Sequence, residues 1–334
     1  VGFRNGEQVV SAIVTSFAYG QSPIAQGGAW QRIDLTGTDF LTTDIDTVEF
    51  IIAGSMNYLA VDNFVYDDLA LSNSAPVIGN LNGDSIAWPG ADSTVILDAG
   101  SDLTIGDTEL DALNGGNGDW SGASLVVQRI GSALANDILE FDTSGASFSD
   151  TGSALQSGDQ TFATYTNTNG VLTVNFTSSG TAATTALVQE VLQSIGYSND
   201  TPYGDATIRF ALSDGTSTSS ADVTVASDTI YVDQLADDSD GDSTDGLSLR
   251  EAIVQAASQD GTQTLVLSSN LANQTLTLGS TLTLSESLII NADAAPGLTI
   301  SGSTISLASG TTLTLRNDSG DRLTLSSNLS GDGG

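Results

Sequence analysis

Cysteine, histidine and lysine are absent from this chain of 334 residues, and only one methionine and five prolines occur in it. Without cysteine there is neither a disulfide nor a thiolate metal site. The three absences together remove a Ser-His-Asp triad, a thiol nucleophile, a Schiff base and an imidazole metal centre. The cationic side chains are Arg4, Arg32, Arg129, Arg209, Arg250, Arg316 and Arg322, set against 41 acids, and the formal net charge is −34. A surface of that sign repels nucleic acid and anionic membrane faces, because phosphate binding draws on Lys and Arg. No run of about 18 apolar residues is present, so no membrane insertion is expected. The sequence starts at Val1 with neither an initiator Met nor a basic, then apolar, leader, and it stops among strand repeats at LSGDGG. Both ends are therefore expected to continue into a longer polypeptide.

What is present is enough to fold. Apolar residues make up 39% of the chain, its mean hydropathy is +0.06, and its length allows two or three domains with buried cores. Only seven of the acids are Glu. Asp is the shorter carboxylate, suited to turns and to oxygen cages for hard cations, so Ca2+ is the expected counter-ion. The alternative is an acidic surface adapted to salt water or low pH. The catalytic chemistry still open is a carboxylate pair of glycosidase type, or a lyase that works with calcium and arginine.

Residues 1–72 read as strands. VVSAIVTSFAY, WQRIDL, VEFII and YLAVDNFVYDDLAL carry apolar alternation with few helix signals. The W-x-x-I-x-L strand Trp30 to Leu35, the stretch Asp46 to Phe50 and the DNF at Asp62 to Phe64 resemble the C-terminal part of a jelly-roll sandwich of the carbohydrate-binding-module type. Trp30 and Tyr58 are candidates for stacking on sugar rings, with a core role as the alternative for Trp30. Asp62 either binds calcium or fixes a turn.

SNSAPVIGNLNGD, Ser72 to Asp84, is a hinge leading into a second module over residues 73–226. Its strand candidates are STVILDA, SLVVQRI, DILEF, TFATYT, GVLTVNFT, ATIRFALSDG and SADVTVA. AATTALVQEVLQSIGYSN, with Ala183, Leu187, Val191, Leu192 and Ile195 near helical spacing, reads as one helix. The segments Ala75 to Ile78, Asp102 to Asp111, Gly118 to Val127, Ile195 to Asp200 and Phe210 to Gly215 resemble the cadherin-like, or proteoglycan-like, repeats of large bacterial surface proteins. That resemblance implies a β-sandwich with calcium at its junction, and implicates Asn73, Asp107, Glu109 and Asp214. The linker SNSAP departs from the family's DxNDN by supplying one Asn and no acid. A solvated turn is the alternative for Asp107 and Glu109. GGNGD, Gly115 to Asp119, is a turn.

The third module, residues 227–334, opens on IYV and an Asp-rich turn with Asp238, Asp240 and Asp242 at alternating positions. Ser243 and Leu249 stand where an EF-hand needs Gly and Glu, which leaves a looser calcium loop or a solvated acidic turn. Leu247, Leu249, Ala252, Ile253 and Ala256 share one helix face. LSLREAI after an Asp-rich turn resembles the capping helix at the start of bacterial right-handed parallel β-helices. Short Thr/Leu strands such as QTLTLG, STLTLS and TTLTLRND follow, enough for about three to four coils.

The chain is thus expected to be all-β and multidomain: a partial jelly roll, a cadherin-like sandwich with one helix, and the helix-capped start of a parallel β-helix. The expected role is non-enzymatic, a segment of a secreted or bacterial cell-surface adhesin-like protein whose partners are a surface glycan or protein and its own flanking domains. The competing readings are the non-catalytic carbohydrate-binding portion of a polysaccharide-degrading enzyme, and a purely structural stalk.

Overall fold

The structure, a computed structural model, describes residues 73–331 and, before them, the backbone of three short strands, β1 (Gly2–Arg4), β2 (Glu7–Val10) and β3 (Thr47–Val48). The chain divides into two compact units, Val1–Ser72 and Asn73–Gly334. In the first, β1 is central and pairs antiparallel with β2 and β3. The other strands expected there, with Trp30, Tyr58 and Asp62, lie outside the described residues.

The second unit is all-β with two α-helices among the described residues. Its first part holds β4 (Val77–Gly79), β5 (Ser85–Ala87), β6 (Val95–Ile96), β7 (Thr104–Gly106), β8 (Ser124–Arg129), β9 (Ile138–Phe141), β10 (Ser149–Asp150), β11 (Ala154–Ser157), β12 (Gln160–Thr168), β13 (Val171–Phe176), α1 (Thr185–Gln193), β14 (Ile195–Ser198), β15 (Ala206–Ser213) and β16 (Thr218–Ala226). Eight of these strands form one sheet in the order β10-β11-β12-β13-β8-β15-β16-β5. Only its last pair, β16 with β5, is parallel. Period-two alternation decides which face is inside. Ala206, Ile208, Phe210 and Leu212 of β15 are buried, as are Leu125 and Val127 of β8 and Leu172, Val174 and Phe176 of β13. They share one core with Leu139 of β9, Ile195 and Tyr197 of β14, and Val188, Val191 and Leu192 of α1. Burial of each such large side chain contributes about 1.5–3 kcal/mol.

The helix is shorter than the sequence spacing predicts. Thr184 caps it by accepting from the Leu187 N–H, and it ends at Gln193. Ile195–Ser198 instead forms the central strand of a three-stranded sheet between β6 and β9. An aromatic and β-branched segment fits a pleated, buried surface better than a fraying helix end. The helical spacing of Ile195 was coincidental.

A buried ion pair joins these layers. Arg129, at the end of β8, donates from Nε to Asp137 Oδ2 and from Nη2 to Asp137 Oδ1, both at 2.7 Å. The Asp137 side chain is 1% exposed. Tyr197 Oη and Asn199 Nδ2 donate to the same carboxylate at 2.7 and 2.9 Å. Burial first, and then the Asp137 charge beside it, push the Tyr197 hydroxyl far above its ordinary pKa. It therefore stays a proton donor at any working pH.

The second part contains β17 (Thr229–Val232), α2 (Leu249–Ala256), β18 (Gln263–Leu267), β19 (Thr275–Leu278), β20 (Leu282–Leu284), β21 (Leu288–Asn291), β22 (Thr299–Gly302), β23 (Ile305–Leu307), β24 (Leu313–Arg316), β25 (Thr324–Leu325) and β26 (Leu329–Gly331). They make three all-parallel sheets, β17-β18-β21-β24, β19-β22-β25 and β20-β23-β26. From β18 onward the chain visits the sheets in rotation, and Gln263 pairs with Leu288 and Leu288 with Leu313, a repeat of 25 residues. Leu265, Leu276, Leu282, Ile290 and Ile300 point into a second core, on which Leu249, Ala252, Ile253 and Ala256 of α2 lie. Gly302 turns one corner at φ +97°, where an added Cβ would run into the Leu278 backbone.

Removing one partner of the Arg129–Asp137 pair leaves an uncompensated buried charge. Asp137→Ala is expected to lower unfolding free energy by about 3–5 kcal/mol, read from urea unfolding followed by fluorescence of the buried Trp120.

Candidate functional site

Carboxylates gather in two places. The first is the edge of the eight-stranded sheet's part of the unit, where residue 73 enters. The turn after β7 carries Asp107, Glu109 and Asp111, and the β15–β16 hairpin carries Asp214. Asp214 Oδ1 accepts from the Thr216 and Ser217 N–H groups at 2.6 and 2.7 Å. Asn73 Nδ2 donates to Asp214 Oδ2 at 2.8 Å and to Ser217 Oγ at 3.2 Å. Ser74 donates through its N–H and its hydroxyl to the two Glu109 oxygens, each at 3.2 Å. The linker, the turn and the hairpin are therefore stitched together by side chains.

Asp107 sits at the centre of this cluster and is 4% exposed. Its Oδ1 accepts from the N–H groups of Glu109 and Leu110 at 3.0 and 2.8 Å. Its Oδ2 is buried and has no partner. Burial, the largest influence, raises the Asp107 pKa; the two backbone donors oppose it, and the neighbouring Glu109 and Asp214 charges add to it. An unpaired buried carboxylate oxygen costs free energy unless a proton or a cation reaches it. Asp214 goes the other way, because the Ser217 N–H and the Asn73 amide outweigh its partial burial and hold it below the usual carboxylate range.

The second place is the loop between β17 and α2. Glu251 forms a capping box with Ser248, accepting from the Ser248 N–H at 3.1 Å while Ser248 Oγ accepts from the Glu251 N–H at 3.2 Å. Its other oxygen accepts from Gly241 N–H at 3.0 Å. Asp238 Oδ1 is buried and unpartnered. Desolvation, and next the Glu251 charge, raise the Asp238 pKa, with Asp240 adding to the effect. Asp240 accepts from the Asp242 N–H at 2.8 Å, and Asp242 accepts from Thr244 as the cap of a short 3-10 turn. The loop thus brings Glu251 to Asp238 and Asp240, and turns Asp242 toward Thr244. Sequence spacing did not nominate Glu251 as part of an acidic cluster. The capping-box spacing from Ser248 is the signal that places it at the loop.

Next to this cluster, Asp237 takes a bidentate contact from Arg250 Nε and Nη2, both at 2.8 Å, and accepts from Gly279 N–H at 2.6 Å. Arg250 also donates to the Ser280 and Thr281 carbonyls at 3.0 and 3.2 Å. One ion pair thereby fastens loop, helix and the β19–β20 corner.

Among the described residues, no three acidic side chains are already gathered tightly enough to hold a metal ion by themselves. Calcium, with its preference for six to eight mixed oxygen ligands, also draws on amide and hydroxyl groups, and Asn73, Ser74 and Ser217 bring such groups to Asp214 and Glu109, whose charges act on Asp107. A cleft beside α2, bounded by Ile253, Ala256, Gln263, Glu286 and Leu288, presents one carboxylate and no acid pair. No described helix is long and apolar enough to cross a membrane. Comparison with protein-family models, with curated proteins and with solved structures finds no match for the chain.

Burial raises the Asp237 carboxyl pKa, and Arg250 with the Gly279 N–H more than offsets it, leaving the group below its ordinary value. A lowered folded pKa means that this stability is present above the unfolded value of about 4 and is lost as pH falls through the folded value. Arg250→Ala is expected to cost about 1.5–3 kcal/mol at pH 7. The gap between variant and parent should narrow below pH 4 in pH-dependent urea midpoints.

Proposed function

We propose that this chain is a non-enzymatic segment of a large secreted or bacterial cell-surface protein, in which a cadherin-like sandwich and a helix-capped parallel β-helix form a calcium-stiffened spacer that displays an adhesive surface. The observation that carries the reading is the buried, partnerless Asp107 Oδ2, set among Glu109, Asp214 and Asn73. The residues fit a calcium ion in their chemistry: carboxylate, amide and hydroxyl oxygens, with no imidazole or thiolate ligand in the chain. Asp107 would hold the ion through its free oxygen, and Glu109 and Asp214 would exchange serine and asparagine donors for it. Asn73 and Ser74 would turn their side-chain oxygens to the same ion, so that occupancy would fasten the first residues of the unit onto the sandwich.

The β-helix reading is supported by three parallel sheets visited in rotation and by α2 covering the core at one end. A solenoid needs such a cover to keep apolar side chains out of water. Asp238, Asp240 and Glu251 are where the same reading places a second calcium ion. The adhesive partner in this reading is a surface glycan or protein, and the net charge of −34 supports it over nucleic acid.

Calcium at about 100 times its dissociation constant should add about 2.7 kcal/mol of stability, seen as a rise in thermal midpoint over chelator-treated protein. Asp107→Asn should remove that rise while raising the midpoint in chelator, since it takes away a buried charge. The proposal fails if calcium leaves the midpoint of the parent unchanged, or if Asp107→Asn responds to calcium as the parent does.

A further inference from the structure

The sandwich and the stacked parallel sheets are separated by two residues, Ser227 and Asp228, and a segment well before that joint also bonds to the first strand of the stack. Tyr203, between β14 and β15, forms an antiparallel bridge with Ile230 of β17. The Gly204 N–H donates to the Thr229 carbonyl at 3.0 Å, and the Tyr231 N–H donates to the Pro202 carbonyl at 2.9 Å. On its other side β17 pairs with β18, parallel and in register from Thr229 to Val232. The free edge of the first strand in that stack is thus occupied by a turn of the preceding sandwich.

The turn is built to stop the sheet. Its strand direction is opposite to the stack, so it cannot be a further coil. Pro202 has no N–H to offer a new neighbour. The outward carbonyl of Tyr203 accepts from the Gln255 side chain of α2. The Tyr203 hydroxyl donates to Asp233 Oδ2 at 2.7 Å, and Asp233 Oδ1 accepts from the Leu247 N–H at 2.7 Å. Tyr203 and Leu134, both sandwich residues, are buried in the apolar cluster of the stack. Gly204 lies at φ +73°, and an added Cβ would strike the Gln259 side chain of the segment following α2.

We propose that the Pro202–Gly204 turn is an edge guard: it closes the β17 strand to pairing with a second copy of this chain, and α2 locks it in place through Gln255. An exposed edge strand is a template for association. β17 is a suitable one, with Ile230 and Val232 on its inner face and Thr229 and Tyr231 on the other. The guard acts independently of calcium.

The test uses the full chain and two variants, Tyr203→Ala and Gln255→Ala. The second leaves the apolar packing of Tyr203 in place, so it keeps the test decisive if the first fails to fold. Residue-resolved hydrogen exchange should show the Tyr231 and Gly204 amides exchanging at least tenfold faster in the variants, with β12 and β13 unchanged. Sedimentation velocity should show association that grows with concentration, absent from the parent. Unchanged exchange at Tyr231 would overturn the lock. Faster exchange with the chain still monomeric would overturn the guard.

Discussion

Seven guanidinium groups cannot neutralise 41 carboxylates, and that shortage governs how this chain folds. Each acid drawn into the interior must be satisfied by one of few arginines, by backbone N–H groups, by hydroxyl and amide side chains, or by something the chain does not contain. Two arginines are spent inside. Arg129 neutralises Asp137 where β8 meets the β14 sheet, and Arg250 neutralises Asp237 where the acidic loop meets the stacked coils. Backbone donors serve two more buried acids: the Asp102 and Leu103 N–H groups reach Asp98, and the Gly241 and Ser248 N–H groups reach Glu251. Asp107 is half satisfied by its own turn and otherwise bare, and Asp84 Oδ2 and Asp238 Oδ1 likewise lack a partner. The calcium proposal rests on that contrast.

The second unit is held together by related solutions at its boundaries. Hydrophobic burial builds two cores, one under the eight-stranded sheet and one among the three parallel sheets. Burial alone does not terminate sheets or fix a loop. The termination comes from polar groups placed with direction: the Ser248–Glu251 capping box, the Arg250 contacts to the β19–β20 corner, and the Pro202–Gly204 bridge along β17. Each uses a strong hydrogen-bonding geometry at a point where a backbone edge or helix end would otherwise face water.

Much of the all-β character was legible because alternation is a local signal. ATIRFALS and SADVTVA wrote their inner faces in period two, and the Thr/Leu repeats after Gln263 did the same at shorter length. The helix face of Leu249, Ala252, Ile253 and Ala256 was equally local. Local pattern misled at Ile195–Ser198, where sheet pairing with β6 and β9 overrode an apparent helical period. Of the candidate ligands, Asn73, Asp107, Glu109 and Asp214 meet at one end of the first core, an arrangement created by pairing between distant strands. Their grouping was reached through family resemblance, while the missing partner at Asp107 depends on three-dimensional burial that no spacing encodes. The approach of Glu251 to Asp238 and Asp240, unlike its local capping spacing from Ser248, and the Tyr203 bridge were illegible for the same reason. Their neighbours lie across a loop or in another module, and nothing in the spacing of TPYG names Ile230 as a partner.

The account turns on what lies against Asp107 Oδ2. The most direct measurement is a crystal of the chain grown with calcium and a second soaked with a lanthanide, with anomalous difference density calculated for each. The account predicts a peak in both within bonding distance of Asp107 Oδ2, with oxygens of Glu109 and Asp214 turned toward it. Density for a water molecule alone at that oxygen, in crystals saturated with either ion, would contradict it.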